Sequence, residues 1–273
     1  IKKMADTNLK QTMNKEWQKV RKHFHYPQLP EPQLVDNIPN GMFDLENLEV
    51  KVSEPFIKGF EKHGISNEES LNECLTHELT HFMKYPGSVL NVLRLQKAGQ
   101  GVVDANKVSE LRTAFTEAQT NLYMLGEVKH PATSKMRKAY GLEEGDAFNK
   151  LMYGLYQDVS GQDFGVKLKG EEKGLVEKLK DITFLDKKQE THNFKKFAQV
   201  LKDYQPPQQK KKQSGGQGQG SGGNQGDTCS GKGNGLEGFT DNQIREGLRQ
   251  FAQECFNPEE YEEIVRQVLD EGK

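Results

Sequence analysis

A mostly helical α+β fold with a small sheet is predicted for this 273-residue chain by three features. Most stretches before residue 204 repeat apolar residues three and four apart, the spacing of one helix face. One segment, 48–53 (LEVKVS), alternates apolar and polar residues as a half-buried strand does. Hydrophobic content of 33% is low for a chain of this length, so part of it is expected to lie outside any packed core.

The first helix is expected over 7–24, with Leu9, Met13, Trp17 and Val20 on one side. The proline-rich run 26–39 (YPQLPEPQLVDNIP) follows as a connection, and 48–53 as the strand. Ser66 with Glu69 then forms a capping box. Behind it Leu71, Cys74, Leu75, Glu78 and Phe82 run at helical spacing until Tyr85-Pro86-Gly87 stops the helix. Further helices are expected over 88–98, 104–126, 133–140, 146–157, 171–183 and 190–203, which completes a domain over 1–204.

From 205 to 235 the composition changes. This stretch holds ten of the 27 glycines and no large apolar residue, and it cannot bury enough surface to offset its ordering entropy. It reads as a disordered, flexible linker with a mean reach of about 30 Å. Its GQGSGG fits a GxGxxG pattern only as glycine-rich runs do, with neither strand before nor helix after. Lys210, Lys211 and Lys212 read as a solvated charge run. Over 236–273, Thr240 with Gln243 makes a second capping box and Asn257-Pro258-Glu259-Glu260 opens another helix. The resulting helical hairpin is too small to stand alone, so it is expected to dock on the main domain, on a partner protein or on further sequence.

A formal net charge of −2 supplies no global field for nucleic acid or an anionic membrane. Neither is expected as a partner. Three cysteines, Cys74, Cys229 and Cys255, form no CxxC pair and suit a reducing, cytoplasmic setting. No apolar run approaches the roughly 20 residues of a membrane span, and the opening IKKMADTNLKQT lacks the apolar core of a secretion signal.

Inside the helix that starts near Ser66 stands HELTH, residues 77–81. Residues four apart share a helix face, so His77 and His81 can turn imidazole nitrogens to one ion. Glu78 borders the same face and reaches a water on that ion without being a ligand. Hydrolytic zinc chemistry needs this set: the metal polarises a carbonyl and acidifies its water, and an adjacent base takes the proton. By the His and Glu frequencies of this chain, HExxH arises by chance in roughly two such sequences per hundred. The helical context and the uncharged neighbours Leu75, Thr76, Leu79, Thr80, Phe82 and Met83 argue against two merely solvated histidines.

Two histidines do not hold zinc alone. The metzincin continuation HExxHxxGxxH fails, because Lys84 and Gly87 stand where glycine and histidine are required. Downstream acidic or imidazole candidates are Asp104, Glu110, Glu117, Glu127 and His130. HELTH followed by Glu117-x-x-x-Asn121 resembles the gluzincin zinc peptidases, particularly the minigluzincins and the ImmA/IrrE-like peptidases, over about 50 residues, 71–123. That resemblance implies a zincin-like metallopeptidase domain with an active-site helix. It makes His77, His81 and Glu117 zinc ligands, Glu78 the general base and Asn121 a hydrogen-bond partner of a ligating histidine. It also implies a peptide or protein substrate that adds to an edge strand, a role it assigns to LEVKVS. The gap from His81 to Glu117 is longer than in thermolysin. For an oxyanion partner the chain offers Tyr140, Tyr153, Tyr156, His130 and His192.

His23 and His25 read as an end to the first helix, and Cys74 as a packing residue. Cys229, on its tether, is weighed as a thiolate able to silence the metal. The reading is therefore a zinc-dependent endopeptidase, set against a catalytically silent zinc-binding scaffold and against a peptidase covered by its own tail.

Overall fold

The computed structural model describes residues 2–25, 28–44, 49–144, 147–204, 239–255 and 257–270. The expected linker, with Cys229 and Lys210, Lys211 and Lys212, lies outside the described residues. Within them, eleven α-helices and a three-stranded mixed sheet make up the mostly helical α+β architecture. Among the described residues no helix is long and apolar enough to cross a membrane.

An N-terminal layer joins α1 (Lys2–His23), the sheet and α3 (Asn67–Met83) around one apolar cluster. Met13 and Trp17 of α1 are fully buried there beside Leu71, Leu75 and Leu79 of α3. The sheet is built from β1 (Gln33–Val35), β2 (Gly41–Asp44) and β3 (Glu49–Ser53), in the order β1-β3-β2. β1 runs parallel and β2 antiparallel to β3. β3 is the strand that alternation predicts, yet it is central and paired on both flanks. LEVKVS therefore cannot accept a peptide, and the free margins belong to β1 and β2. Those two strands, three and four residues long, are too short to show period-2 patterning, and β1 lies inside the proline-rich run.

α2 (Glu54–Gly59) links the sheet to α3 and starts where the Ser53 side chain accepts from the Phe56 N–H. α3 carries the expected capping box, with Glu69 N–H donating to Ser66 Oγ and Ser66 N–H to Glu69 Oε2 at 3.2 and 3.1 Å. A second layer holds α4 (Val89–Gln100), α5 (Ala105–Tyr123), α6 (Thr133–Glu144), α7 (Ala147–Ser160), α8 (Gly170–Leu179) and α9 (Glu190–Leu201). α5 packs against α3, α4, α7 and α9, so residues 114–122 are buried on every side. A lone sequence shows one apolar face here with Glu117 and Asn121 at its margin; four neighbouring helices leave no margin. Past Tyr123 the helix widens into a π-helical turn over Met124–Val128.

The hairpin of α10 (Asp241–Glu254) and α11 (Pro258–Asp270) docks on α4. Phe251, Ile264 and Val268 close over Val89, Val92 and Leu93. The Arg94–Glu254 and Lys97–Glu260 pairs at the rim are well exposed and contribute little. Apolar burial, about 1.5–3 kcal/mol for each large side chain, holds the hairpin in place. Phe251→Ala should therefore cost about 3–5 kcal/mol of docking. Amide exchange would show it: protection in α10 and α11 should fall by more than about a hundredfold, with α3 unchanged.

Candidate metal centre

α3 and α5 meet at the seam between the N-terminal cluster and the larger helical core, and there the sequence-predicted group assembles. His77 Nε2 and His81 Nε2 lie 3.1 Å apart. The Glu117 carboxylate faces both, with Oε1 3.0 Å from His81 Nε2 and Oε2 3.4 Å from His77 Nε2. Among the described residues this is the group of histidine, cysteine and acidic side chains whose donor atoms lie within metal-binding distance of one another. Ligands at about 2.0–2.1 Å in a tetrahedral zinc site sit about 3.3 Å from each other. The observed separations match that edge.

The electrostatics favour a cation here. Burial acts most strongly on His81 and disfavours its charged form, yet the Glu117 charge, the hydrogen bond His81 donates to Glu117 and the Glu78 charge outweigh it and raise His81 to about 9. Burial also acts most strongly on Glu117, in the raising direction; the His81 charge and the close approach of both imidazoles reverse it and hold the carboxyl below the usual range. Glu117 Oε2 is buried without a hydrogen-bond partner, as suits an oxygen with a ligand's role. Solvent reaches the group from the His81 side: His81 keeps 18% side-chain exposure against 1% for His77.

The His81 ring is braced at its second nitrogen by an acceptor, as ligation through Nε2 requires. His81 Nδ1 lies 2.8 Å from the Tyr85 carbonyl, so an Nδ1–H donates there and leaves the Nε2 lone pair to the centre. Thr120 Oγ1 stands 3.3 Å from the same nitrogen. His77 Nδ1 lies 3.3 Å from the Arg137 guanidinium, a donor-only group to which an Nδ1–H makes no hydrogen bond. Arg137 is itself buried, bonded to Glu73 Oε1 at 3.1 Å and to Asn121 Oδ1 at 3.0 Å.

Asn121 thus differs from its expected role. Its amide meets the Glu117 carbonyl at 3.0 Å, Tyr156 at 3.5 Å and Arg137; among the described hydrogen bonds it reaches neither histidine. The cause is steric order, since Arg137 stands between Asn121 and His77. Sequence spacing did not reveal Arg137, which comes from α6. Glu73, one helical turn before His77, was the only trace of it.

The remaining candidates lie elsewhere. Asp104, Glu110 and Glu127 are exposed and outside the group. His130 is engaged at both ring nitrogens, by Asn72 Oδ1 at 2.7 Å and the Ala132 N–H at 3.2 Å. Tyr153 is buried and stacked on Phe164, and His192 is exposed. The Tyr140 side chain lies outside the described residues. His23 is exposed and packs edge-on to Phe24, and His25 takes a left-handed conformation just past α1. Cys74 is buried in the N-terminal cluster and is not part of the metal group.

No protein-family model, curated protein or solved structure matches the chain. The geometry alone speaks for the site.

Below about pH 9 His81 of the metal-free chain carries a proton that a divalent ion must displace. Zinc affinity, followed by chelator competition, should rise about tenfold per pH unit toward 9 and flatten above it. Arg137→Met should cost about 3–5 kcal/mol in chemical denaturation by leaving Glu73 buried and uncompensated; Glu73→Leu in the same chain should recover most of that loss.

Proposed function

We propose that this chain is a zinc-dependent endopeptidase of zincin-like, gluzincin type, acting on peptide or protein substrates. The convergence of His77, His81 and Glu117 at 3.0–3.4 Å, with Glu78 between the two histidines, carries the reading. Zinc at such a set, when bound, polarises a scissile carbonyl and lowers the pKa of water.

The chain's own groups do the rest. Glu78 accepts the proton of the attacking water and returns it to the leaving amine. It is buried, and its charge is felt at His81, which keeps it close to the reacting centre. His81 holds its position through the Tyr85 carbonyl, and Arg137, itself held by Asn121, packs beside His77. For the substrate, β2 replaces LEVKVS as the docking strand. Ser53 N–H donates to Asn40 O at 2.6 Å, so by antiparallel alternation Gly41 and Phe43 direct their N–H and C=O groups away from β3. An extended peptide adds to such an edge by backbone hydrogen bonds.

Glu78→Gln tests this reading. Zinc content should stay at one ion per chain, while cleavage of fluorescein-labelled casein falls by about 10²–10⁴. Loss of zinc along with activity would make Glu78 a ligand, and bound zinc without cleavage in the unaltered chain would make the protein a zinc-binding scaffold.

A further inference from the structure

Gly41 opens β2 where that edge strand lies against α3. A Cβ built at this position falls 2.7 Å from Cys74 Sγ, 2.9 Å from Glu78 Oε1 and 3.2 Å from Glu78 Cγ. The backbone does not ask for glycine. Gly41 is paired with Val52 in the sheet and is not among the glycines with positive φ. In ordinary strand conformation glycine is the costlier residue, because it loses the most freedom on folding. Space is the reason for it: the volume a side chain would fill already holds the Cys74 sulfur and the Glu78 carboxylate.

We propose that Gly41 is a positioning residue for Glu78, its missing side chain admitting the carboxylate beneath β2 and its backbone walling that carboxylate in beside the two histidines. This rests on the reading of Glu78 as the general base. The groups that an added methyl meets do not yield equally. Cys74 is short, buried and fixed within the α3 core. The Glu78 carboxylate ends a side chain with three rotatable bonds, so it moves first. Relief to an ordinary contact of about 3.5–4 Å needs a displacement of more than about 0.5 Å. Misplacement of a reacting group by about 1 Å costs on the order of 10²-fold in rate. His77, His81 and Glu117 lie outside the collision and keep their places.

The test loads the unaltered chain, Gly41→Ala, Glu78→Gln, Cys74→Ala and the Gly41→Ala/Cys74→Ala pair with Co²⁺. Metal affinity is read by chelator competition, and acetohydroxamate affinity from the visible cobalt spectrum. A hydroxamate chelates the metal and donates a hydrogen bond to a carboxylate beside it. Cobalt affinity should stay within about threefold throughout, whereas acetohydroxamate should bind at least about tenfold more weakly to both Gly41→Ala and Glu78→Gln. In the double variant Tm should recover and hydroxamate affinity should not, because removing the sulfur relieves packing but leaves Glu78 displaced. Hydroxamate affinity restored together with Tm would reduce Gly41 to a packing residue and overturn the inference. So would full affinity in Gly41→Ala beside weakened affinity in Glu78→Gln, a result that leaves the role of Glu78 standing. Full affinity in Glu78→Gln would remove that role, and the inference with it.

Discussion

Two imidazole nitrogens and a carboxylate held 3.0–3.4 Å apart in a nearly closed volume require positive charge between them. A proton on His81 supplies it in the metal-free chain, at a place where the group could hold a metal ion instead. The requirement joins the two cores of the molecule. α3 brings the histidines from the N-terminal layer and α5 brings Glu117 from the helical layer, so the packing of α3 on α5 sets the ligand geometry.

The same requirement explains an unusual helix. α3 buries Ser70, Glu73, Thr76, His77, Glu78 and Thr80 along with its leucines. Buried polar groups destabilise unless they are bonded, and here most are bonded locally. Thr76 and Thr80 donate to the carbonyls four residues earlier, at 2.7 and 2.8 Å. Glu73 closes the buried pair with Arg137, which reaches from α6 across to His77. Polar side chains that an apolar core would exclude are retained in α3 as parts of one connected network.

On the opposite face of the site the sheet acts as a wall. β2 lies over α3 closely enough that only a residue without a side chain fits against Glu78. Phe43, two residues on, stacks on Phe82 with ring centres 4.4 Å apart and fixes the height of the strand above the helix. The hairpin of α10 and α11 is remote in sequence but packs on α4, which starts just after the Tyr85 turn that holds His81. Strand and helix pair thus meet at α3, and the hairpin joins them through α4.

Local rules made much of this legible in the sequence. The capping boxes at Ser66 and Thr240, the shared face of His77 and His81 and the strand over Glu49–Ser53 depend on residues within a turn or two of each other, and each stands in the fold as the spacing requires. The choice of Glu117 over Glu110, Glu127, Asp104 and His130 came from a resemblance, since no periodicity separates acids on a helix buried all round. Tertiary packing decided that choice, as it placed Arg137 beside His77 instead of Asn121, and β2 at the edge instead of β3. Each of these depends on elements tens of residues apart being brought together, and one-dimensional patterning records a residue's own helix or strand and not the neighbour that will lie against it.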